Sequence, residues 1–440
     1  MSKNDHQETY DERREYRRKR RKRNQLICIL SLVLIFALIA GGAFFGLSKV
    51  LGSMRIKKQS MALQEQIAME NEAEEPAVIE APVEEEPTPE PEVDYLGDIV
   101  ESCISEMTIP NKVAALFMIT PESLTNVDPV LKCGDTTRKL LGEYPVGGLV
   151  YFSKNIQSES QLQELLSATG NCYRIFLAID EEGGEVSRLA SAGLMENVGP
   201  MAEIGATEDP EAARTAGALL GTTLAYYGFN VDLAPVADVN REEGSAIGNR
   251  SFGTDPVLVS QMVQAQVEGM QNVGVSACLK HFPGIGDATD DMHSGAATSE
   301  RTKEEFDTID VLPFKAGIEA GVEFIMVSHL VVPNIAGNDI PSSLNPVIMT
   351  DILRGELGYE GIIITDALNM EAITSQYESG EAVVMAIQAG ADMVLMPEDF
   401  FGAYKAVLEA VENGVITEDR LDESLRRIYR VKYKEKVESE

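Results

Sequence analysis

The pattern of apolar and polar positions divides the chain before any single residue stands out. Residues 26–47 are 22 positions without a charge, and Arg17-Arg18-Lys19-Arg20-Arg21-Lys22-Arg23 lies just before them. Spanning a bilayer takes about 20 apolar residues, and a basic block on one flank keeps that flank in the cytoplasm. The run is longer than the roughly 7–15 residues of a signal-peptide core. No small-x-small cleavage site follows it before Lys49. The pattern predicts a basic cytoplasmic tail (1–25) and an uncleaved single-pass helix (26–47), with everything after Lys49 outside the cell membrane. Residues 61–94 then hold twelve acidic residues, five prolines and no Lys or Arg. Such a segment repels itself and has too little apolar surface to fold, so 48–94 reads as an extracytoplasmic stalk.

From Tyr95 onward short apolar runs alternate with helical periods. Eight runs read as buried strands: 115–119, 148–152, 175–179, 231–235, 275–279, 324–327, 361–364 and 393–395. Between them 209–227 and 255–273 each open with Asp-Pro, a capping residue followed by proline at the first helical position. Segments 381–389, 403–413 and 420–431 also carry the helical spacing. Eight buried strands separated by helices predict an α/β fold, a single (β/α)8 TIM barrel over residues 95–440. A doubly wound open sheet has the same alternation and is the competing architecture.

In such a barrel chemistry gathers where the strands end. The run ending at Ile179 leads into Asp180-Glu181-Glu182-Gly183-Gly184 and then Arg188. The run at Val231 leads toward Asp238 and, further on, Arg250. Others deliver Lys280 and His281, Ser328 and His329, and Thr365 and Asp366. One aspartate after a strand is usually a helix cap; five strands delivering Asp, Arg, Lys and His to one rim point to a site. The chain has four histidines, and two of them, His281 and His293, lie in the sixteen residues 280–295. The Pro283-Gly284-Ile285-Gly286 interruption predicts a long surface loop there. Asp291 and His293 are two apart, so in an extended segment they face the same way. The carboxylate can then raise the proton affinity of the imidazole, which makes a proton shuttle; a solvated Asp-rich loop is the plainer alternative. Asp366, kept ionised by a cationic neighbour, would be nucleophilic. A nucleophile and an acid/base are the two roles a retaining glycosidase needs.

Charge and composition narrow the classes. Residues 1–60 carry 14 Lys+Arg against 5 Asp+Glu while the whole chain carries −34, so residues 61–440 hold a net charge of −43. A body that acidic excludes nucleic acid as a partner. Tryptophan is absent, which favours a small pocket over a long polysaccharide groove. Cys28, Cys103, Cys133, Cys172 and Cys278 show neither zinc nor redox-pair spacing. In an oxidising compartment the last four could pair, but a domain this large does not need bridges, and free buried thiols are expected. Nothing here sets an oligomeric state, and a monomer is the default.

The motifs Met107-Thr108-Ile109-Pro110-Asn111-Lys112-Val113, Gly147-Gly148-Leu149-Val150-Tyr151-Phe152 and Ile179-Asp180-Glu181-Glu182-Gly183-Gly184 come first in the chain. Asp232-Leu233-Ala234-Pro235-Val236-Ala237-Asp238-Val239, Gly248-Asn249-Arg250-Ser251-Phe252-Gly253, the 280–295 stretch and Ile364-Thr365-Asp366-Ala367-Leu368-Asn369-Met370 follow in order. Through them residues 107–431 resemble glycoside hydrolase family 3, in its β-N-acetylglucosaminidase branch. The resemblance implies a (β/α)8 barrel and a two-step retaining mechanism with no metal or cofactor. It casts Asp366 as nucleophile and His293, oriented by Asp291, as acid/base. It casts Asp180, Arg188, Arg250, Lys280 and His281 as hydrogen-bonding partners of the sugar. Two positions depart from the family pattern: Ile285, where a second histidine is usual, and Met292, where the family has Asp-Ser-His. The expected activity is that of a membrane-anchored exo-β-N-acetylglucosaminidase acting on peptidoglycan fragments or related glycans. A β-glucosidase, a glycoside phosphorylase and a non-catalytic wall-glycan-binding protein are the alternatives.

Overall fold

The computed structural model describes residues 94–172, 174–241, 245–288 and 297–437. The expected tail, membrane helix and nearly all of the stalk lie outside the described residues, as do Asp291 and His293. Among the described residues no helix is long and apolar enough to cross a membrane. Asp94, expected as the last stalk residue, instead caps the helix Tyr95–Ser105, its Oδ1 accepting from the Gly97 N–H at 2.8 Å.

Among the described residues ten strands follow: β1 (Phe117–Ile119), β2 (Gly148–Tyr151), β3 (Phe176–Ile179), β4 (Glu181–Gly183), β5 (Val186–Ser187), β6 (Val231–Asp232), β7 (Ser276–Phe282), β8 (Phe324–Val327), β9 (Ile362–Thr365) and β10 (Val394–Leu395). Each expected apolar run holds one strand of a single sheet, ordered β10-β1-β2-β3-β6-β7-β8-β9 with every pairing parallel. A parallel bridge between Ile364 and Met393 joins β9 to the approach of β10 and closes the ring. The architecture is therefore the closed (β/α)8 barrel, not the open sheet. Closure leaves no edge, so strands are covered on both faces and read as unbroken Ile, Leu, Val and Phe.

Both Asp-Pro signals begin helices as expected, at Pro210–Tyr227 and Pro256–Gln271, with Asp209 and Asp255 accepting from the N–H groups of Glu211 and Val257. These helices touch backbone to backbone. A Cβ on Gly217 would stand 2.3 Å from the Gln266 carbonyl oxygen, and one on Gly269 would stand 2.2 Å from that of Arg214. Only glycine permits that approach.

The strand expected to stop at Leu279 continues through Lys280 and His281 to Phe282. Both polar side chains are buried inside it, because each has charged partners that offset desolvation. At the opposite end of the barrel Asp392, just before β10, is fully buried. It accepts from the Ile363 N–H at 2.9 Å, the Ser424 hydroxyl at 2.8 Å and Arg427 at 3.1 Å, and it also pairs with Arg354. Ser424 and Arg427 come from the C-terminal helix Glu418–Val437, which is thereby fixed to the strand entrances.

Candidate active site

The C-terminal strand ends open into a cavity of about 970 Å³. Asp180, Arg188, Arg250, Lys280, His281 and Asp366 all line it, so six of the eight expected site residues meet in one place. The other two, Asp291 and His293, belong to the segment outside the described residues.

Lys280 is the hub. Its Nζ lies 2.7 Å from Asp180 Oδ1 and 2.6 Å from Glu182 Oε1. Arg250 grips Glu182 with two parallel bonds, Nε to Oε2 and Nη2 to Oε1, both 2.8 Å. Burial alone would raise the Glu182 carboxyl, but the adjacent charges of Lys280 and Arg250 outweigh it and hold the group down at about 2. Burial would likewise lower Lys280, yet Asp180 and Glu182 push it above the ordinary lysine range. Glu182, Lys280 and Arg250 are therefore charged at neutral pH. Arg188 stands 3.7 Å from Asp180 and lies over the Phe152 ring.

The Glu-Glu-Gly-Gly motif explains how Glu182 and Arg188 reach the same cavity. Gly183 and Gly184 adopt φ of +95° and +62°, the left-handed region that costs glycine little. They turn β4 back on β5. Glu181, buried beside them, accepts from the Leu189 N–H at 2.7 Å and so caps the short helix Arg188–Ser191. Glu181 in turn donates its own N–H to Asp232 Oδ1 at 3.0 Å. Burial raises both Glu181 and Asp232, the latter well above the usual carboxylate range.

His281 is held from behind. Its Nδ1 is 2.7 Å from Asp238 Oδ2, and its backbone N–H also points at that carboxylate. With Nδ1–H donating to Asp238, Nε2 is left facing Arg250 Nη2 at 3.4 Å. Asp366 follows β9. Its Oδ1 accepts the Ala367 N–H at 2.8 Å. Burial opposes its charge, but the imidazoles of His329 and His281, the Ala367 N–H and Lys280 lower its pKa below the ordinary value. His329, fully buried, lies with Nε2 2.9 Å from the Ala367 carbonyl oxygen and Nδ1 2.7 Å from Ser343 Oγ. It thus fixes the turn that presents Asp366.

The expected surface loop begins differently. Pro283, Gly284, Ile285, Gly286 and Ala288 are buried. The Ile285 N–H donates to Asp238 Oδ1 at 2.7 Å, and a Cβ on Gly286 would stand 1.7 Å from the Val239 carbonyl oxygen. These contacts draw the chain inward before it leaves the described residues. Where it returns, Ala297 is buried and Ser299 bonds both the Val331 carbonyl, at 2.9 Å, and Asp287. Arg301 pairs with Asp287 and Asp310, each at 3.0 Å, and donates to the Gly284 carbonyl. Residues 289–296, Asp291 and His293 among them, are therefore entered and left through two pinned ends beside the cavity.

Three supporting residues had no assigned role in the sequence: Glu182, Asp238 and His329. Each stands at a strand end, and the scarcity of histidine was a signal for the third. Their partners, 68, 43 and 38 residues away respectively, were not readable.

Residues 108–431 match the profile of the glycosyl hydrolase family 3 N terminal domain. Beta-hexosaminidase A of Pseudoalteromonas piscicida is 33% identical over 328 residues, which is 67% of this chain and 54% of that protein. A beta-hexosaminidase of Stenotrophomonas maltophilia (strain K279a) is 35% identical over 259 residues, 57% of this chain and 76% of that one. The structure of a glycoside hydrolase family 3 beta-N-acetylglucosaminidase from Paenibacillus sp. str. FPU-7 superposes with a TM-score of 0.68 at 35% identity, covering 76% of this chain and 63% of that one. The chain thus spans just over half of the Pseudoalteromonas protein and under two thirds of the Paenibacillus one. The profile match takes in every barrel strand and every cavity residue named above: the chain belongs to glycosyl hydrolase family 3.

Proposed function

We propose that the chain is a retaining exo-β-N-acetylglucosaminidase. The observation that carries the reading is Asp366, held ionised in a cavity whose other polar groups are donors and acceptors suited to sugar hydroxyls. The names of its relatives, beta-hexosaminidases and a beta-N-acetylglucosaminidase, support the sugar. Asp366 attacks the anomeric carbon while His293, oriented by Asp291, protonates the departing oxygen. His293 then takes a proton from water, which attacks the glycosyl-enzyme and frees Asp366. Asp180 accepts from the sugar; Arg188, Arg250 and Lys280 donate; His281, its Nδ1–H given to Asp238, offers Nε2. Because these groups converge on a confined cavity with bonding capacity left for a ligand, a sugar that misplaces a hydroxyl leaves part of that capacity unmet, which makes the site discriminating.

The 22-residue uncharged run and acidic stalk support an anchored, wall-facing enzyme acting on peptidoglycan fragments or related glycans. The test is chromophore release by the full chain from an aryl β-N-acetylglucosaminide beside the aryl β-glucoside, with Asp366→Asn and His293→Ala. Turnover of the first substrate, abolished by Asp366→Asn, is expected. A folded protein that binds the sugar and turns over neither substrate overturns the enzyme reading in favour of a wall-glycan binder. Protease added to intact cells should remove the barrel domain; full protection would overturn the extracytoplasmic placement.

A further inference from the structure

Four cysteines fall among the described residues, all as free thiols, with Cys133 and Cys278 buried and Cys103 and Cys172 partly exposed. Two of them have no cysteine partner among the described residues. Cys278 is sealed within β7, and Cys103 faces the Tyr433 hydroxyl at 3.7 Å. The remaining two are neighbours: Cys133 Sγ and Cys172 Sγ are 3.9 Å apart although 39 positions separate them in sequence. A disulfide has its sulfurs about 2.05 Å apart. The two sulfurs must therefore approach each other by about 2 Å, a movement of two short side chains. Nothing strong holds either sulfur away. Cys172 donates only a weak S–H bond to the Ala168 carbonyl, 3.2 Å away on its own helical turn. Cys133 precedes the helix Asp135–Glu143, and Cys172 follows the helix Glu159–Gly170, which leads toward β3.

We propose that Cys133 and Cys172 are a cross-linking site, joined by an intramolecular disulfide when the folded chain meets a disulfide-bearing oxidant. The part-exposed Cys172, as thiolate, attacks one sulfur of the oxidant, forming a mixed disulfide and releasing one thiol. Cys133 then loses its proton and attacks Cys172 Sγ, displacing the second thiol. The two cysteines give up two protons and two electrons, and the oxidant disulfide becomes two thiols. Cys172 is the more exposed of the two, which assigns it the first attack and leaves the closing step to the buried Cys133. The proposal depends on the extracytoplasmic reading only for where the oxidant is met. The bond would tie the segment between β1 and β2 to the entrance of β3, the strand that leads into Asp180. Closing a loop of this length restricts the unfolded chain and so raises stability.

The test uses the full chain, purified reduced and exposed while folded to oxidised glutathione, then alkylated, digested and mapped by mass spectrometry. Two thiols should be lost and one peptide pair joined through Cys133 and Cys172. The pair should be absent in Cys133→Ser and Cys172→Ser. The apparent Tm should rise by several degrees and fall back with dithiothreitol. The proposal is overturned if all thiols still alkylate, if glutathione remains on Cys172 as the end product, if another pair links, or if the linked protein melts lower. Cross-linking is read by mass and melting, so it stands or falls separately from turnover of any glycoside.

Discussion

The barrel carries a buried charge cluster at each end, and the two differ most in what lies beyond them. At the C-terminal end Lys280 and Glu182 are 3% and 2% exposed; at the N-terminal end Asp392 is 0% exposed with Arg354 at 14%. Each cluster mixes acids with arginines drawn from distant parts of the chain. Around Asp392 the carboxylate is saturated by a backbone N–H, a hydroxyl and guanidinium groups, and the C-terminal helix covers it. Around Lys280 the same kinds of group turn a face to a cavity, with Asp180 and Arg188 only loosely matched at 3.7 Å. Burial and charge density therefore do not mark a site by themselves. Capacity left over for a ligand does.

That contrast can be broken at either end. The largest effect is expected from Asp366→Asn, which should lower kcat roughly 10⁴-fold with no loss in a denaturation midpoint. Similar loss of stability and activity together would collapse the distinction. Asp392→Ala should do the reverse. Stranding Arg354 and Arg427 should cost about 3–5 kcal/mol of unfolding free energy, measured by urea titration, while kcat/KM per folded molecule stays at the wild-type value. Lys280→Met lies between them. It should lower kcat/KM roughly 100-fold and also alter acid stability. Glu182 has its folded pKa depressed from 4.5 to about 2. Its contribution to stability is therefore present above pH 4.5 and lost as pH falls through about 2. Without Lys280 the folded pKa rises toward the unfolded value, so less stability should vanish over that window; urea midpoints at pH 6 and pH 3 measure it. The smallest effect belongs to neither cluster. Arg426 and Glu101 form an exposed pair with side chains 45% and 54% accessible, and Arg426→Ala should change stability by less than about 1 kcal/mol and activity not at all.

How far the sequence discloses these clusters follows the same division. The eight strands were legible because a closed parallel barrel forces continuous apolar runs, such as Ile362-Ile363-Ile364. The upper residues were legible because they follow those runs. The strand limit at Leu279 was misplaced because periodicity treats lysine as a boundary, whereas pairing with Asp180 and Glu182 lets Lys280 stay inside β7. The lower cluster was invisible: Arg354, Asp392 and Arg427 look like ordinary surface charges until tertiary structure brings them together. Helices such as Asp135–Glu143 and Val311–Glu319 were not singled out either, since their apolar faces are short and interrupted.

One feature of the rim reaches beyond a single reaction. The groups proposed to hold the sugar sit on strands or on turns anchored to them, whereas the proposed acid/base lies in an eight-residue insert whose two ends are pinned by Asp287, Ser299 and Arg301. The insert is in that sense a cassette. On the proposed roles, exchanging it would change proton transfer and leaving-group preference while the groups proposed to hold the sugar stayed in place. Ile285, with its N–H committed to Asp238, belongs to the frame; Met292 belongs to the exchangeable part. Natural drift and protein engineering alike would find the cheaper variation in the second.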